Sequence, residues 1–162
     1  MGKPSKTNAC RVLDQLAIGY QLLAYEIDLA DLSAEHVARK LGLPAARVYK
    51  TLCVVADDRA VLLAVVAGDR QLDLKRLAQA AHKRSVQPVP LKDLLALTGY
   101  VRGGVTALAC KKPYPVFLDR GALAHESISI SAGQRGLQIL LSGHDYLRAS
   151  SATLAELTRD KT

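Results

Sequence analysis

The chain has 162 residues, of which 49% are hydrophobic and 4% aromatic, and its lysines and arginines outnumber its acidic residues by 22 to 15. This length and composition indicate one globular domain over residues 1–162, with residues 1–6 expected to be flexible, and they argue against a disordered chain. The net charge of +7 favours a polyanionic partner, above all a nucleic acid.

The first part of the chain alternates helical and extended patterns. Thr7 or Asn8 can cap a first helix that runs to about residue 18, and residues 20–27 follow as a strand. Ser33 can cap a second helix that Gly42 ends. The strongest hairpin signal lies next, where the strand around Lys50 and an apolar strand at 60–67 flank a tight turn at 57–59.

The second part of the chain has shorter patterns. We expect a third helix over 74–84 behind Asp73, a short strand within 85–90, and a fourth helix over 91–98 that ends at Gly99. Strands near 115–119, 126–131 and 137–141 and helical patterns at 144–149 and 151–160 complete the chain. This order lacks a regular βαβ rhythm, so we predict one α/β domain around a mixed sheet.

Lys50 stands out because it shares a strand face with Val48, Leu52 and Val54. A charged side chain is seldom buried unless something pairs with it. Its four-carbon stem can place the ammonium at the sheet edge. Alternatively, Lys50 lines a pocket and meets an anion.

Two glycine-rich stretches, "TGYVRGGVTALACKK" at 98–112 and "SAGQRGLQ" at 131–138, have the composition of anion-binding loops. Paired glycines allow positive φ and close backbone approach, so that successive amides can converge on an oxygen. Each stretch is also compatible with an ordinary turn between strands.

The cysteines and histidines point away from disulfides and metals. Three widely spaced cysteines indicate free thiols in a reducing cytoplasm, and the four histidines lack metal-ligand spacing. We therefore expect a cytoplasmic protein with no metal or cofactor. The longest apolar run, 60–67, is far below the roughly 20 residues that cross a bilayer, and the N-terminus lacks a secretory signal, so no membrane partner is expected.

Several strings in order along the chain resemble the YbaK family, free-standing relatives of the editing domain inserted in bacterial prolyl-tRNA synthetase. They are "YE" at 25–26, "KLGL" at 40–43, "VYKTL" at 48–52, "AGDRQLDLKRLA" at 67–78, "TGYVRGGV" at 98–105 and "SAGQRGLQI" at 131–139. The resemblance implies a mixed, barrel-like β-sheet flanked by helices. It also implies a trans-acting aminoacyl-tRNA deacylase that clears Cys-tRNA(Pro), without a cofactor.

The resemblance also implies site residues and partners. Lys50, Gly103 and Gly104 would be catalytic, and the substrate would contact Tyr25, Leu32, Ser33, Thr106, Ser131, Gly133, Gly136 and Gln138. From their charge, Arg102, Lys111, Lys112 and Arg135 are the candidate RNA contacts. The expected partner is the acceptor end of a mischarged tRNA, with prolyl-tRNA synthetase as a possible companion in a complex. We expect a monomer or weak oligomer that does not bind DNA.

The chain departs from the family pattern at three places. Where the family usually has Ser-Pro-x-Gly after the glycine pair, this chain has residues 106–109, "TALA", so we expect a less rigid loop. Gln138 replaces an aspartate of some relatives, and Leu32 and Ser33 stand where a pocket phenylalanine is expected. These changes bear on substrate choice more than on reaction type.

The sequence shows neither a Ser–His–Asp nor a Cys–His set, and no GxSxG elbow. The resemblance implies instead that the thiol of a cysteinyl ester attacks its own carbonyl. Backbone amides near Gly103 and Gly104 would stabilise the oxyanion, while Lys50 would act as a cation, with a neutral general base as the rival role.

Three other hypotheses stay open at this point. The chain can be a non-catalytic module that binds aminoacyl-tRNA or a synthetase, because the loop at 103–109 is altered. It can also be a deacylase for another amino acid such as alanine. The third hypothesis is a thiol-dependent hydrolase in which Lys111 and Lys112 lower the pKa of Cys110.

Overall fold

The computed structural model describes residues 5–161 of the chain. Most of the segment predicted to be flexible, residues 1–4, lies outside this range. Lys6 is exposed, and its ammonium pairs with Asp14 at 2.7 Å. The described residues form five α-helices: α1 Asn8–Gln15, α2 Ala34–Leu41, α3 Leu74–Ala80, α4 Leu94–Thr98 and α5 Gly143–Ser150.

Ten strands accompany these helices. They are β1 Gln21–Ala24, β2 Tyr49–Ala56, β3 Val61–Ala67, β4 Arg70–Leu72, β5 Val86–Pro88, β6 Val116–Asp119, β7 Ile128–Ser131, β8 Leu137–Leu141, β9 Thr153–Ala155 and β10 Thr158–Asp160. The predicted α/β class with a mixed sheet is therefore confirmed.

The largest sheet has the strand order β5-β2-β3-β6-β9 and is mixed, since β3, β6 and β9 run parallel while β2 is antiparallel to both neighbours. A second sheet, β1-β8-β7, is antiparallel, and β10 pairs with β4. A single parallel bridge from Val48 to Ser129 connects the start of β2 to β7. Within residues 5–161 the sheets do not close into a barrel.

The predicted helix ends are confirmed where a local capping group specifies them. The Ser33 hydroxyl accepts a hydrogen bond from the His36 amide at 3.2 Å, and the Asp73 carboxylate caps α3. Gly42 and Gly99 end their helices at φ values of +69° and +85°. These contacts lie within a few residues, which is why the pattern alone identified them.

The predicted hairpin of β2 and β3 is also confirmed, and it places Lys50 opposite Val66 in the central sheet. The two faces of this sheet have separate cores. Tyr49 and Cys53 pack into the core that contains α1, α5 and the β7–β8 strands, whereas Val54 packs on the opposite side, towards α3. The face that carries Lys50 is therefore the α3 side.

The helix predicted over 151–160 is wrong, because these residues form β9 and β10. β9 adds to the edge of the large sheet beside β6, and β10 pairs with β4. The carboxylate of Asp119 also accepts a hydrogen bond from the Leu157 amide at 2.9 Å, between the two strands. Pairing with distant strands outweighed a weak local helical preference here.

Candidate active site

One cleft of about 620 Å³ opens beside the central sheet. It lies between the segment leading into α2, the strand β2 and the first glycine loop. Seven of the residues predicted to form the site line this cleft: Leu32, Ser33, Lys50, Arg102, Gly103, Ser131 and Gln138. Residues from five separate stretches of the chain therefore converge on one space.

Lys50 enters the cleft wall from β2 and is half-buried. Its amine donates a hydrogen bond to the carbonyl oxygen of Arg70 at 3.1 Å, so it does not extend into bulk water. Burial lowers the pKa of Lys50, and the nearby ammonium of Lys161 lowers it further, while the carboxylates of Glu35 and Asp69 oppose the shift. The cleft thus contains a partly desolvated cation.

The two glycine loops, which are separate in sequence, pack against each other. A Cβ atom on Gly104 would lie 3.1 Å from the Cα atom of Gln134 and 3.2 Å from the amide nitrogen of Arg135. The Arg135 guanidinium donates to the carbonyl oxygen of Arg102 at 2.8 Å and ties the loops together. A Cβ atom at position 104 would push the loops apart by a few tenths of an ångström, so glycine allows the closest backbone contact.

The backbone amides of the first loop are not equivalent. The Gly104 amide donates to the carbonyl oxygen of Val101 at 2.9 Å. The Gly103 amide has no hydrogen-bond partner among residues 5–161, and Gly103 has a φ of +88°. Of the two predicted oxyanion donors, Gly103 is therefore the one whose amide is unoccupied by this part of the chain.

The second loop supplies the polar floor of the cleft. Ser131 and Gln138 pair across β7 and β8. The Ser131 hydroxyl accepts a hydrogen bond from the Gly133 amide at 3.1 Å, and the Gln138 side-chain oxygen accepts one from the Ser129 hydroxyl at 2.9 Å. Both side chains are neutral and nearly buried, so this floor can position an ester but contains no base.

The other predicted residues lie outside the lining of the cleft. Tyr25 packs on α2, Thr106 is fully buried, and Gly133 and Gly136 approach Tyr100 and Ile27. The Lys111 stem covers Gly99, and Lys112 lines a second cavity. Gly104 and Arg135 form the contact between the two glycine loops.

The sequence did not reveal the charged groups around the Lys50 amine. Glu35 lies in the first turn of α2, Asp69 follows β3, and Lys161 follows β10. The ammonium of Lys161 forms an ion pair with Glu35 and donates to the carbonyl oxygen of Gly68 at 2.8 Å. No local pattern links residues so far apart in the chain, because the β4–β10 pairing brings them together.

The surroundings of Cys110 do not favour a reactive thiol. Burial raises the pKa of this thiol to about 11, in the direction opposite to that expected from the adjacent lysines. The thiol donates to the carbonyl oxygen of Thr106 at 3.2 Å and faces the second cavity instead of the cleft. Cys110 is therefore a structural residue.

The altered loop keeps a glycine-like turn without a glycine. Ala109, at the position where the family pattern has glycine, has a φ of +56°. The Tyr100 hydroxyl donates to the carbonyl oxygen of Leu108 at 2.6 Å and braces this turn. An alanine in the left-handed region costs about 1–2 kcal/mol, so the turn is strained.

Within residues 5–161, no three histidine, cysteine or acidic side chains are grouped so that they can hold a metal ion. None of the helices in the same range is long and apolar enough to cross a membrane.

Comparisons with known proteins agree with the fold. Residues 31–149 match the family model described as "Aminoacyl-tRNA editing domain". The chain is 39% identical to the Enterococcus faecalis protein named "Putative Cys-tRNA(Pro)/Cys-tRNA(Cys) deacylase EbsC", over 94% of this chain and 93% of that protein. It is 30% identical to the proline–tRNA ligase of Acidithiobacillus ferrooxidans over 62% of this chain but only 17% of the ligase.

A solved structure gives the same architecture. The crystal structure of "a putative trans-editing enzyme for prolyl tRNA synthetase" has a TM-score of 0.81 to this chain at 20% identity, covering 96% of this chain and 99% of the other. At that identity the likeness concerns the fold alone. The family resemblance seen in the sequence is confirmed, and the chain belongs to the aminoacyl-tRNA editing domain family.

Proposed function

We propose that this protein is a trans-acting aminoacyl-tRNA deacylase, with Cys-tRNA(Pro) as its substrate. The observation that supports the proposal best is the cleft, which combines a half-buried lysine with a glycine amide that has no hydrogen-bond partner among residues 5–161. A relative that matches almost the whole chain carries the name of such a deacylase. The cleft volume of about 620 Å³ is within the usual range for a small-molecule site.

The proposed reaction uses the thiol of the cysteinyl group. Its sulfur forms a bond to the carbonyl carbon of the same residue, the bond from that carbon to the ribose oxygen breaks, and the thiol proton passes to the ribose oxygen. No water is consumed, so the step is formally lyase-like. This route requires no nucleophile from the protein, in keeping with the structural role of Cys110.

The protein groups then orient the ester and stabilise charge. The Gly103 amide is the proposed oxyanion donor, and loss of one such donor typically costs about 10²–10³ in rate. Lys50 is proposed to bind an ester or phosphate oxygen as a cation. An RNA phosphate in the cleft would favour the ammonium form over the neutral base, because a nearby opposite charge raises the pKa of a lysine.

The proposed RNA surface begins at the cleft mouth. Arg102 lines the cleft, and the Arg135 guanidinium donates to the Arg102 carbonyl oxygen, so both residues lie at the glycine loops. Lys111 and Lys112 are exposed further along the same segment. Each phosphate contact should add about 0.7–0.9 to the slope of log K against log salt concentration. A flat salt response would contradict an RNA partner.

To test the proposal, the protein is incubated with proline tRNA charged with cysteine, alanine or serine, and the loss of each labelled amino acid is measured. Rapid loss of cysteine with retention of serine supports thiol assistance, because the two side chains differ only in the sulfur. Loss of alanine at a comparable rate would contradict thiol assistance and select the alternative substrate. Binding of all three without loss of the label would identify a non-catalytic aminoacyl-tRNA-binding module.

A further inference from the structure

The amine of Lys50 lies in a cluster of charges that the proposed mechanism does not use. Lys161 repels it, whereas Glu35 and Asp69 attract it. Glu35 is already paired with Lys161, and the two side chains are 45% and 39% exposed. The Lys50 amine bonds to the carbonyl oxygen of Arg70 on β4, and β4 pairs with β10, which leads directly to Lys161. Two cations thus compete for one carboxylate, and in this structure Lys161 holds it.

Lys161 is held in place by the fold. The strand before it, β10, pairs with β4, and Arg70 forms an ion pair with Asp160. Arg76 on α3 donates to the carbonyl oxygen of Thr158 at 2.7 Å. Lys161 itself donates to Gly68 at 2.8 Å, so its ammonium is bound at two points.

The position of Glu35 is equally determined. A Cβ atom on Gly68 would lie only 2.8 Å from the Cβ atom of Ala34, so the start of α2 packs directly on the end of β3. Glu35 follows Ala34 and faces the same region. The hydrogen bond from Lys161 holds the pKa of Glu35 below its ordinary value, so the carboxylate is ionised at neutral pH.

We propose that Lys161 is a positioning residue for this site, because its ion pair with Glu35 prevents that carboxylate from capturing the amine of Lys50. Among residues 5–161, Lys50 then keeps only the hydrogen bond to the Arg70 carbonyl oxygen, and it can meet a negatively charged or carbonyl oxygen of the substrate. The inference rests on the proposed function for its kinetic consequence only. The competition of Lys50 and Lys161 for Glu35 can be measured without any substrate.

The test uses Lys161→Met, Glu35→Gln and the double variant. In Lys161→Met the freed carboxylate should pair with Lys50, and kcat/KM should fall by about fivefold, the factor that one partly exposed ion pair contributes. Adding Glu35→Gln should restore kcat/KM, because no carboxylate is then left to capture the amine. A purely structural role for Lys161 would show no such rescue.

Lys83→Met is the matched control, because it also removes one positive charge and breaks an ion pair, that of Lys83 with Asp58 at 2.6 Å, away from the cleft. It accounts for any loss of RNA attraction caused by net charge alone. If Lys161→Met is no slower than Lys83→Met, or if the double variant stays as slow as Lys161→Met, the proposal is overturned.

A second measurement separates this inference from the proposed function. The pKa of Lys50 is read from the pH titration of its labelled side-chain resonance, assigned with Lys50→Met. The pKa of Lys50 should rise in Lys161→Met, because a repelling ammonium is removed, and fall back in the double variant, because the attracting carboxylate is then removed as well. If no tRNA is deacylated, the proposed function fails, but this titration still decides the inference, and an unchanged Lys50 pKa would refute it.

Discussion

Gly104→Ala tests whether the contact between the two glycine loops organises the cleft. The new Cβ atom would lie 3.1 Å from Gln134 and 3.2 Å from Arg135, and both contacts are to backbone atoms. Ordinary van der Waals contact begins near 3.4 Å, so the loops must separate by about 0.3 Å. No flexible side chain can absorb this shift, because both contacts are to backbone atoms. The second loop is also anchored at both ends, by β7 and β8.

The energetic cost follows from overpacking, which is typically about 1–3 kcal/mol. For a domain of this length, a loss of about 2 kcal/mol lowers Tm by about 4–8 °C. The rate should fall more than the stability, because displacement of the Gly103 amide and Arg102 disturbs the proposed oxyanion site. We expect a loss of about tenfold to a hundredfold in single-turnover deacylation.

Two alanine substitutions serve as controls for Gly104→Ala. Gly19 has nothing within 4 Å of the added Cβ atom, so Gly19→Ala should leave Tm and rate unchanged or stabilise by about 0.4–1 kcal/mol. Gly103 has a φ of +88° but a nearest contact of 3.4 Å, so Gly103→Ala tests backbone strain without a clash. If Gly104→Ala behaves like Gly19→Ala in both assays, the contact between the loops does not matter.

Three further outcomes follow from the structure. Lys50→Met should lower the deacylation rate by about 10²–10³ without lowering Tm at neutral pH. The folded protein holds the pKa of Lys50 below its value in the unfolded chain. The ammonium therefore opposes folding at neutral pH, and this penalty disappears as the pH rises towards the unfolded pKa. A lower Tm in this variant would contradict the conclusion that the Lys50 ammonium opposes folding. Ala109→Gly should raise Tm by about 2–4 °C in thermal denaturation, since it relieves about 1 kcal/mol of strain at a φ of +56°. Cys110→Ala should retain its deacylation rate, and inactivity of the folded variant would restore the thiol as a catalyst.

The retained turn at Ala109 changes how the departure from the family pattern is understood. The sequence "TALA" at 106–109 predicted a looser loop because it lacks the proline and glycine. In the structure this turn is held by the hydrogen bond from the Tyr100 hydroxyl to the Leu108 carbonyl oxygen, at the cost of backbone strain at Ala109. Substrate choice is therefore better tested with the tRNA panel than deduced from this loop.

Features that depend on contacts within a few residues could be predicted from the sequence alone. The caps of α2 and α3, the ends at Gly42 and Gly99 and the β2–β3 hairpin all depend on contacts within a few residues. Lys50 was identified for the same reason, since an alternating strand pattern makes one charged residue conspicuous. The family resemblance supplied the link from these features to editing of aminoacyl-tRNA.

Long-range pairing decided the rest, because a short segment adopts whichever conformation its distant partners stabilise. Residues 151–160 have a helical pattern, yet strands β6 and β4 offer open edges, and the segment forms β9 and β10. That pairing brings Lys161 to Glu35. Loop-to-loop packing at Gly104 is likewise a property of the folded chain, since nothing in either stretch alone specifies its partner.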